Sequence, residues 1–320
     1  MHRRHFMHHF LLGSLGLQLS ARFKQTHSAN PIRPAALKPG DSVALIAPAG
    51  PALPERVAVA TANIAALGLR VQEGQSLRAQ NGYFAGTDAE RLHDLHAAFA
   101  DSTVQAVWCV RGGYGCTRLL PNLDFKLIKH NPKLFIGYSD ITALHTAIRQ
   151  TTGLMTFHAP VAAAPFTPFS ETALRRLFFE GMASDWLPLN DKAYSIRAGT
   201  ARGPLTGGNL TVLTALAGTD WEPDFRNGIV ALEDVGERPY RIDRMLTQLL
   251  QATNLRRAAG IALGDFTDCD PKPGEPSLTL REVLEDRLGG LGIPVWGGYP
   301  FGHIDEQMTW GYGEVVNMGG

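Results

Sequence analysis

Short apolar runs separated by helical periodicity constrain this chain more than any other feature. Val43 to Ala47, Val104 to Val110, Leu134 to Ile136 and Met155 to Phe157 have strand length and are apolar almost throughout. Strands buried on both faces read this way, whereas strands with one solvated face alternate. Between them lie helical patterns at Glu55 to Leu67, Asp88 to Ala100 and Ile141 to Arg149. The second is opened by Thr87 and Glu90, the spacing of a capping box. This alternation predicts an α/β fold whose parallel sheet is covered by helices on both sides. Ligands of such sheets bind beyond the carboxyl ends of the strands, so the residues after Val110 and after Ile136 are the first places for a site.

The alternation fades after His158. Pro160, Pro165 and Pro168 punctuate a connecting stretch, and a helix is expected near Glu171 to Glu180. From about Gly203 a second series begins, with helices over Asn209 to Ala217, Tyr240 to Gln251 and Leu278 to Leu288. Strands are expected over Gly228 to Leu232, Ala259 to Gly264 and Pro294 to Gly297. The expected organisation is an N-terminal extension over 1–29, a first domain over 30–165, a connecting segment over 166–202 and a second domain over 203–320.

Gly137-Tyr138-Ser139-Asp140 stands between the apolar run Leu134 to Ile136 and the helical pattern from Ile141. A serine on such a strand-to-helix turn has its hydroxyl pushed out at the sheet edge, where free helix N–H groups can steady an oxyanion. The competing reading is that Ser139 or Asp140 merely caps the helix. An acid and a histidine follow at the ends of later strands: Gly228 to Leu232 runs into Glu233, and Tyr299-Pro300-Phe301-Gly302 leads to His303. Serine needs a base, and the base needs an acid to fix its tautomer. Asp234 and Glu237 compete with Glu233, although adjacent strand residues face opposite ways. His158 rivals His303 as the base. His145, six residues beyond Ser139, lies about 240° round the helix from it and is poorly placed. Arg111 suits a bidentate grip on a substrate carboxylate or, equally, a structural ion pair. Arg111-Gly112-Gly113-Tyr114-Gly115 lacks the third glycine of a dinucleotide fingerprint, which argues against a nucleotide cradle.

Four blocks, Val110-Arg111-Gly112-Gly113-Tyr114-Gly115, Ile136-Gly137-Tyr138-Ser139-Asp140, Leu232-Glu233-Asp234-Val235-Gly236-Glu237 and Gly298-Tyr299-Pro300-Phe301-Gly302-His303, together resemble the LD-carboxypeptidase family, the S66 serine peptidases. The resemblance runs from about Leu37 to about Gly313. It implies a Rossmann-like parallel-sheet N-terminal domain plus a smaller mixed α/β C-terminal domain, with a Ser139, His303, Glu233 triad straddling the two. It further implies an oxyanion hole from the N–H groups of Gly113 and Asp140, a homodimer, and no metal or organic cofactor. The implied reaction removes the terminal D-alanine of a murein tetrapeptide by cleaving an L-D amide. Two alternatives remain: a relative of the family's microcin-immunity branch, which acts on a peptidyl-nucleotide, and an exported binding protein that captures a ligand without turnover.

The extension opens with Arg3-Arg4 ahead of a short apolar stretch, Phe10 to Leu19, followed by small residues. That reads as a twin-arginine export signal and a periplasmic destination. The stretch has about half the roughly 20 residues of a spanning helix, so no stable membrane anchor is expected. Removing Arg3, Arg4, Arg22 and Lys24 with the signal takes four of the 30 basic residues and none of the 30 acidic ones. The resulting slightly acidic balance gives no reason to invoke nucleic acid. Cys109, Cys116 and Cys269 match no zinc spacing, and leave open either one disulfide or buried thiols.

Overall fold

The computed structural model describes residues 31–184, 186 and 191–319. The expected export signal at 1–29 therefore lies outside the described residues. In chain order the elements are β1 (Ser42–Ile46), α1 (Pro54–Ala66), β2 (Arg70–Glu73), α2 (Asp88–Ala100), β3 (Val104–Cys109), α3 (Phe125–His130), β4 (Leu134–Gly137), α4 (Thr142–Thr152) and β5 (Phe157–His158). There follow α5 (Pro168–Phe178), β6 (Tyr194–Arg197), β7 (Ala201–Asn209), α6 (Leu210–Leu216), β8 (Ile229–Val235), α7 (Pro239–Ala252), β9 (Gly260–Thr267), α8 (Leu280–Leu288), β10 (Val295–Gly297), β11 (Trp310–Gly311) and β12 (Val315–Met318).

The first sheet has the strand order β11-β5-β4-β3-β1-β2 and is parallel except for β11. Every residue of β1 is buried, as its unbroken apolar run requires. One apolar layer joins this sheet to α1 and α5; the layer on its other face includes residues of α2, α3 and α4 and reaches Val212 and Leu216 of α6. The capping box at Thr87 and Glu90 is formed in full. The order reverses between β1 and β3, and the loops leaving those two strands meet beyond their carboxyl ends, where the Gly50 N–H donates to the Gly112 carbonyl at 3.3 Å.

The second sheet has the order β12-β7-β8-β9-β10-β6 and is mixed: β7 to β10 run parallel, and β12 and β6 are antiparallel edges. Residues of α6, α7 and α8 pack in the layer on one face. On the other face the described residues form an aromatic layer containing Trp186, Tyr299, Phe301, Trp310 and Tyr312. The segment 166–202 contributes to both bodies, since α5 packs on the first sheet and β6 forms an edge of the second. Near the C-terminus the chain returns to the first sheet, where Trp310 and Gly311 pair with His158 and Phe157.

Two expected elements shift. The third helix of the first series begins at Thr142 and not Ile141, because Ser139–Ile141 forms a separate 3-10 turn. The strand expected over Met155 to Phe157 is found at Phe157–His158, since Leu154 and Met155 are engaged by Ile32. Among the described residues no helix is long and apolar enough to cross a membrane.

Candidate active site

The strand β4 ends at Gly137, Tyr138 is extended, and Ser139 then takes a left-handed backbone with φ of 67°. A non-glycine residue in that region costs on the order of 1–3 kcal/mol and persists only where its surroundings impose it. Here the turn lifts the Ser139 side chain off the sheet. Neither Ser139 nor Asp140 caps the helix with its side chain. The Ser139 Oγ instead lies 3.1 Å from His303 Nε2, and His303 Nδ1 lies 2.8 Å from Glu233 Oε2. A carboxylate only accepts, so Nδ1 carries the proton and Nε2 is left to accept from the serine hydroxyl.

The three residues come from three loops or strands of the two sheets. Glu233 sits inside β8 and is fully buried, while His303 follows β10 on the Tyr299 to Gly302 turn. That turn is pinned to β9: Asp265 N–H donates to the Phe301 carbonyl at 2.8 Å, and the Thr267 hydroxyl donates to the His303 carbonyl at 3.1 Å. Gln307 donates its side-chain amide to the Gly302 carbonyl. The Tyr138 ring stands edge-on to the His303 ring at 4.9 Å. Tyr138, Thr267 and Gln307 were not legible as site residues, because nothing in their local sequence marks which distant loop they hold. Burial pushes the His303 pKa down, but the hydrogen bond and charge of Glu233, with Asp234 and Asp265 behind it, outweigh burial and hold it above the ordinary imidazole range.

The rival residues are placed elsewhere. Asp234 accepts from Asn209 Nδ2 at 3.1 Å, and from the Thr211 N–H at 3.0 Å and its hydroxyl at 2.8 Å, so it fastens the start of α6. Glu237 forms an ion pair with Arg241. His158 is wholly buried, stacked on Trp310 with ring centroids 4.9 Å apart, and neither ring nitrogen has a hydrogen-bond partner. Burial, then the neighbouring His145 and His303, hold it neutral. His145 turns Nε2 to the Gly137 carbonyl at 2.9 Å, and burial pushes it down to about 3.

The loop after β3 closes on the serine. A Cβ at Gly112 would stand 2.8 Å from Ser139 Cβ and 3.0 Å from its Oγ, so only glycine lets the loop approach this closely. The Asp140 carboxylate accepts the Cys116 N–H at 2.8 Å and ties the far end of the loop to the serine turn. Among the described residues, no acceptor takes the N–H of Gly113 or of Asp140. Arg111 donates Nε to the Gly112 carbonyl at 3.1 Å and Nη1 to the Pro51 carbonyl at 3.2 Å, and forms no ion pair among the described residues. The structural ion pair allowed for Arg111 is therefore not what the fold builds. All three cysteines are free and buried. Among the described residues, no group of three or more His, Cys, Asp or Glu is placed to hold a metal ion. A serine oxygen beside an imidazole that is oriented by a buried carboxylate is chemically suited to nucleophilic acyl transfer.

The family model for the LD-carboxypeptidase N-terminal domain matches residues 43–159, and that for the LD-carboxypeptidase C-terminal domain matches residues 202–318. The "Probable murein peptide carboxypeptidase" of Bacillus subtilis is 44% identical over 285 residues, covering 87% of this chain and 88% of the relative. The crystal structure of muramoyltetrapeptide carboxypeptidase from Oxalobacter formigenes superposes with a TM-score of 0.73 at 29% identity, over 86% of this chain and 97% of that one. MccF in complex with glutamyl sulfamoyl guanosine superposes with a TM-score of 0.82 at 25% identity, over 90% of this chain and 96% of that one. Two matched domains, high coverage and the shared fold make this chain a carboxypeptidase that belongs to the LD-carboxypeptidase family.

Proposed function

We propose that the protein is a serine carboxypeptidase that releases the terminal D-alanine of a murein tetrapeptide by cleaving the L-D amide bond. The observation that carries this reading is the hydrogen-bonded chain Ser139–His303–Glu233, with separations of 3.1 and 2.8 Å, in a family member 44% identical to the "Probable murein peptide carboxypeptidase" of Bacillus subtilis. His303 takes the Ser139 proton as Oγ attacks the scissile carbonyl. The Gly113 and Asp140 N–H groups receive the oxyanion, and Glu233 stabilises the imidazolium as it forms. His303 then protonates the departing amine, and water activated by the same imidazole frees the acyl-enzyme. No step calls on a cofactor. Arg111 supplies a cation for a substrate carboxylate. The Arg3-Arg4 pair ahead of a short apolar stretch supports export of the mature enzyme to the periplasm.

The microcin-immunity reading has the closer superposition but the more distant sequence, 25% against 44% identity. The murein reading is therefore preferred. Purified protein incubated with murein tetrapeptide should release free D-alanine, detected by mass. Ser139→Ala should fold normally and lose on the order of a thousandfold or more in turnover. Binding of the peptide without any release would favour the non-catalytic alternative, and a tenth or more of wild-type turnover in Ser139→Ala would remove the serine from the nucleophile role.

A further inference from the structure

We propose that Tyr83 and Tyr114 form an aromatic subsite for the side chain of the departing residue, so that the enzyme removes terminal D-residues with aromatic side chains as well as D-alanine. The subsite rests on the serine-carboxypeptidase reading above and defines the class of residue that such an enzyme releases.

Tyr83 is 67% exposed and Tyr114 51%, yet their ring centroids lie only 6.0 Å apart, and Phe84 meets both, at 4.4 and 5.7 Å. The rings are held in place. Tyr83 occupies the tip of a tight turn in which Asn81 and Phe84 exchange backbone hydrogen bonds of 2.9 and 3.1 Å, and the Ala85 N–H donates to the Ala49 carbonyl at 3.0 Å, which fastens the turn to the loop after β1. Phe84 is buried, with the guanidiniums of Arg91 and Arg118 at 4.9 and 5.0 Å from its ring centroid. A Cβ at Gly115 would stand 2.8 Å from Phe84 Cδ1, so glycine lets the Tyr114 loop settle on that ring. An exposed apolar patch of this kind marks a binding surface, and rings fixed in advance lose little freedom when a ligand arrives.

The same two rings border the chemistry. A groove of about 570 Å³ is lined by Gly50, Pro51, Tyr83, Arg111, Gly113 and Tyr114. That volume falls within the roughly 300–1,000 Å³ of pockets for drug-sized ligands, far more than a methyl side chain fills. Gly113, assigned above to the oxyanion hole, and Tyr114 are consecutive, so their Cα atoms are about 3.8 Å apart. A side chain in this groove therefore belongs to a residue flanking the scissile bond, because the amino end of a tetrapeptide lies on the order of 10 Å back along the chain. Arg111 decides between the two flanking residues. It lines the groove as well, and as the cation assigned to a substrate carboxylate it draws in the terminal residue, whose side chain then lies beside the two rings. A D-alanine methyl leaves most of both rings uncovered, whereas an aromatic side chain packs on them and gains beyond its burial. The reaction is the amide hydrolysis described above, and only the departing residue differs.

The test uses the full protein and two tetrapeptides that differ only in their last residue, D-alanine or D-phenylalanine, with the released D-residue measured by mass. The wild type should cleave the D-phenylalanine peptide with a kcat/KM at least equal to that for the D-alanine peptide. Tyr83→Ala, a change at an exposed turn, should leave the melting temperature nearly unaltered and lower the D-phenylalanine-to-D-alanine ratio by roughly three- to tenfold through KM, the contribution of one aromatic contact. Tyr83→Phe, which keeps the ring and loses only the hydroxyl, should hold the wild-type ratio. A wild type that cleaves the D-phenylalanine peptide less efficiently than the D-alanine one, or a ratio unchanged in Tyr83→Ala, would overturn the proposal and leave the D-alanine reaction standing. Failure of the wild type to cleave either peptide would sink the parent reading and the subsite with it.

Discussion

Replacing Glu233 by Gln is the most searching single perturbation of this site. The substitution keeps size and shape, removes one buried negative charge, and leaves an amide oxygen able to accept from His303 Nδ1. Glu233 is fully buried and its Oε2 stands 2.8 Å from that nitrogen. For unit charges about 4 Å apart at an effective dielectric near 20, the attraction lost as the imidazolium forms is about 4 kcal/mol. That corresponds to roughly three decades in rate. Gln also permits the inverted imidazole tautomer, in which Nε2 carries the proton and cannot accept one, and this extends the expected loss towards about ten-thousandfold, as in comparable triads. The pH dependence adds a second signature. Glu233 holds His303 above the ordinary imidazole range against the opposing effect of burial. With the carboxylate gone burial dominates, so the acid limb of kcat/KM should move to lower pH while its plateau collapses. In the wild type the raised His303 pKa stabilises the fold below the unfolded value, and that contribution is lost as pH rises through the folded value. The melting temperature of Glu233→Gln should therefore fall furthest behind the wild type on the acid side. Stopped reactions assayed for D-alanine across pH, alongside thermal melts, would measure both. A variant keeping a tenth of wild-type turnover with an unmoved acid limb would show that Glu233 does not orient the base.

Asp234→Asn should retain most of the turnover but melt lower, by the equivalent of roughly 1–3 kcal/mol, because Asp234 holds Asn209 and Thr211 at the start of α6 and does not touch His303; a dead but stable Asp234→Asn, measured by D-alanine release, would refute the strand register used here. Gly112→Ala should cost activity at least tenfold with a modest loss of stability, about 1–3 kcal/mol, since the added methyl meets Ser139 Cβ at 2.8 Å; wild-type kcat would show that the loop is free to withdraw. Changing Arg3 and Arg4 together to lysine should strand the precursor in the cytoplasm, and unchanged recovery in a periplasmic extract would defeat the export assignment.

How much of this was legible depended on where the information lies. Strands β1, β3 and β4 were readable because burial on both faces demands an unbroken apolar run, and α2 because its capping box is local. The Ser139 turn was readable because a strand, a tight turn and a helix must follow one another in sequence. β7 was not. Ala201–Asn209 contains Gly203, Pro204, Gly207 and Gly208 and looks like a loop, yet it is a central strand. Its glycines answer a distant demand: a Cβ at Gly207 would stand 2.0 Å from the Ala231 carbonyl oxygen on the neighbouring strand. The two-residue strands β5 and β11 are set by their partners and carry too few side chains to show a period. Opposite facing of Glu233 and Asp234 followed from strand alternation, but the Asn209 and Thr211 groups that Asp234 meets lie over 20 residues away. The aromatic sheath of the second sheet was likewise hidden, being gathered from Trp186 and the 299–312 stretch and not from one amphipathic helix.

The late return of the chain to the first sheet sets a clock on the appearance of activity. Ser139 and His303 are 164 residues apart, and the β11 pair that completes the first sheet comes later still. At a synthesis rate of about 5–20 residues per second, the serine turn precedes its base by on the order of 10 to 30 s. During that interval the nascent molecule carries a nucleophile with no proton acceptor, beside a β5 edge whose backbone groups await Trp310 and Gly311. Hydrolytic power thus waits until His303 has been made and docked, so a product truncated before it lacks the base and leaves the β5 edge bare.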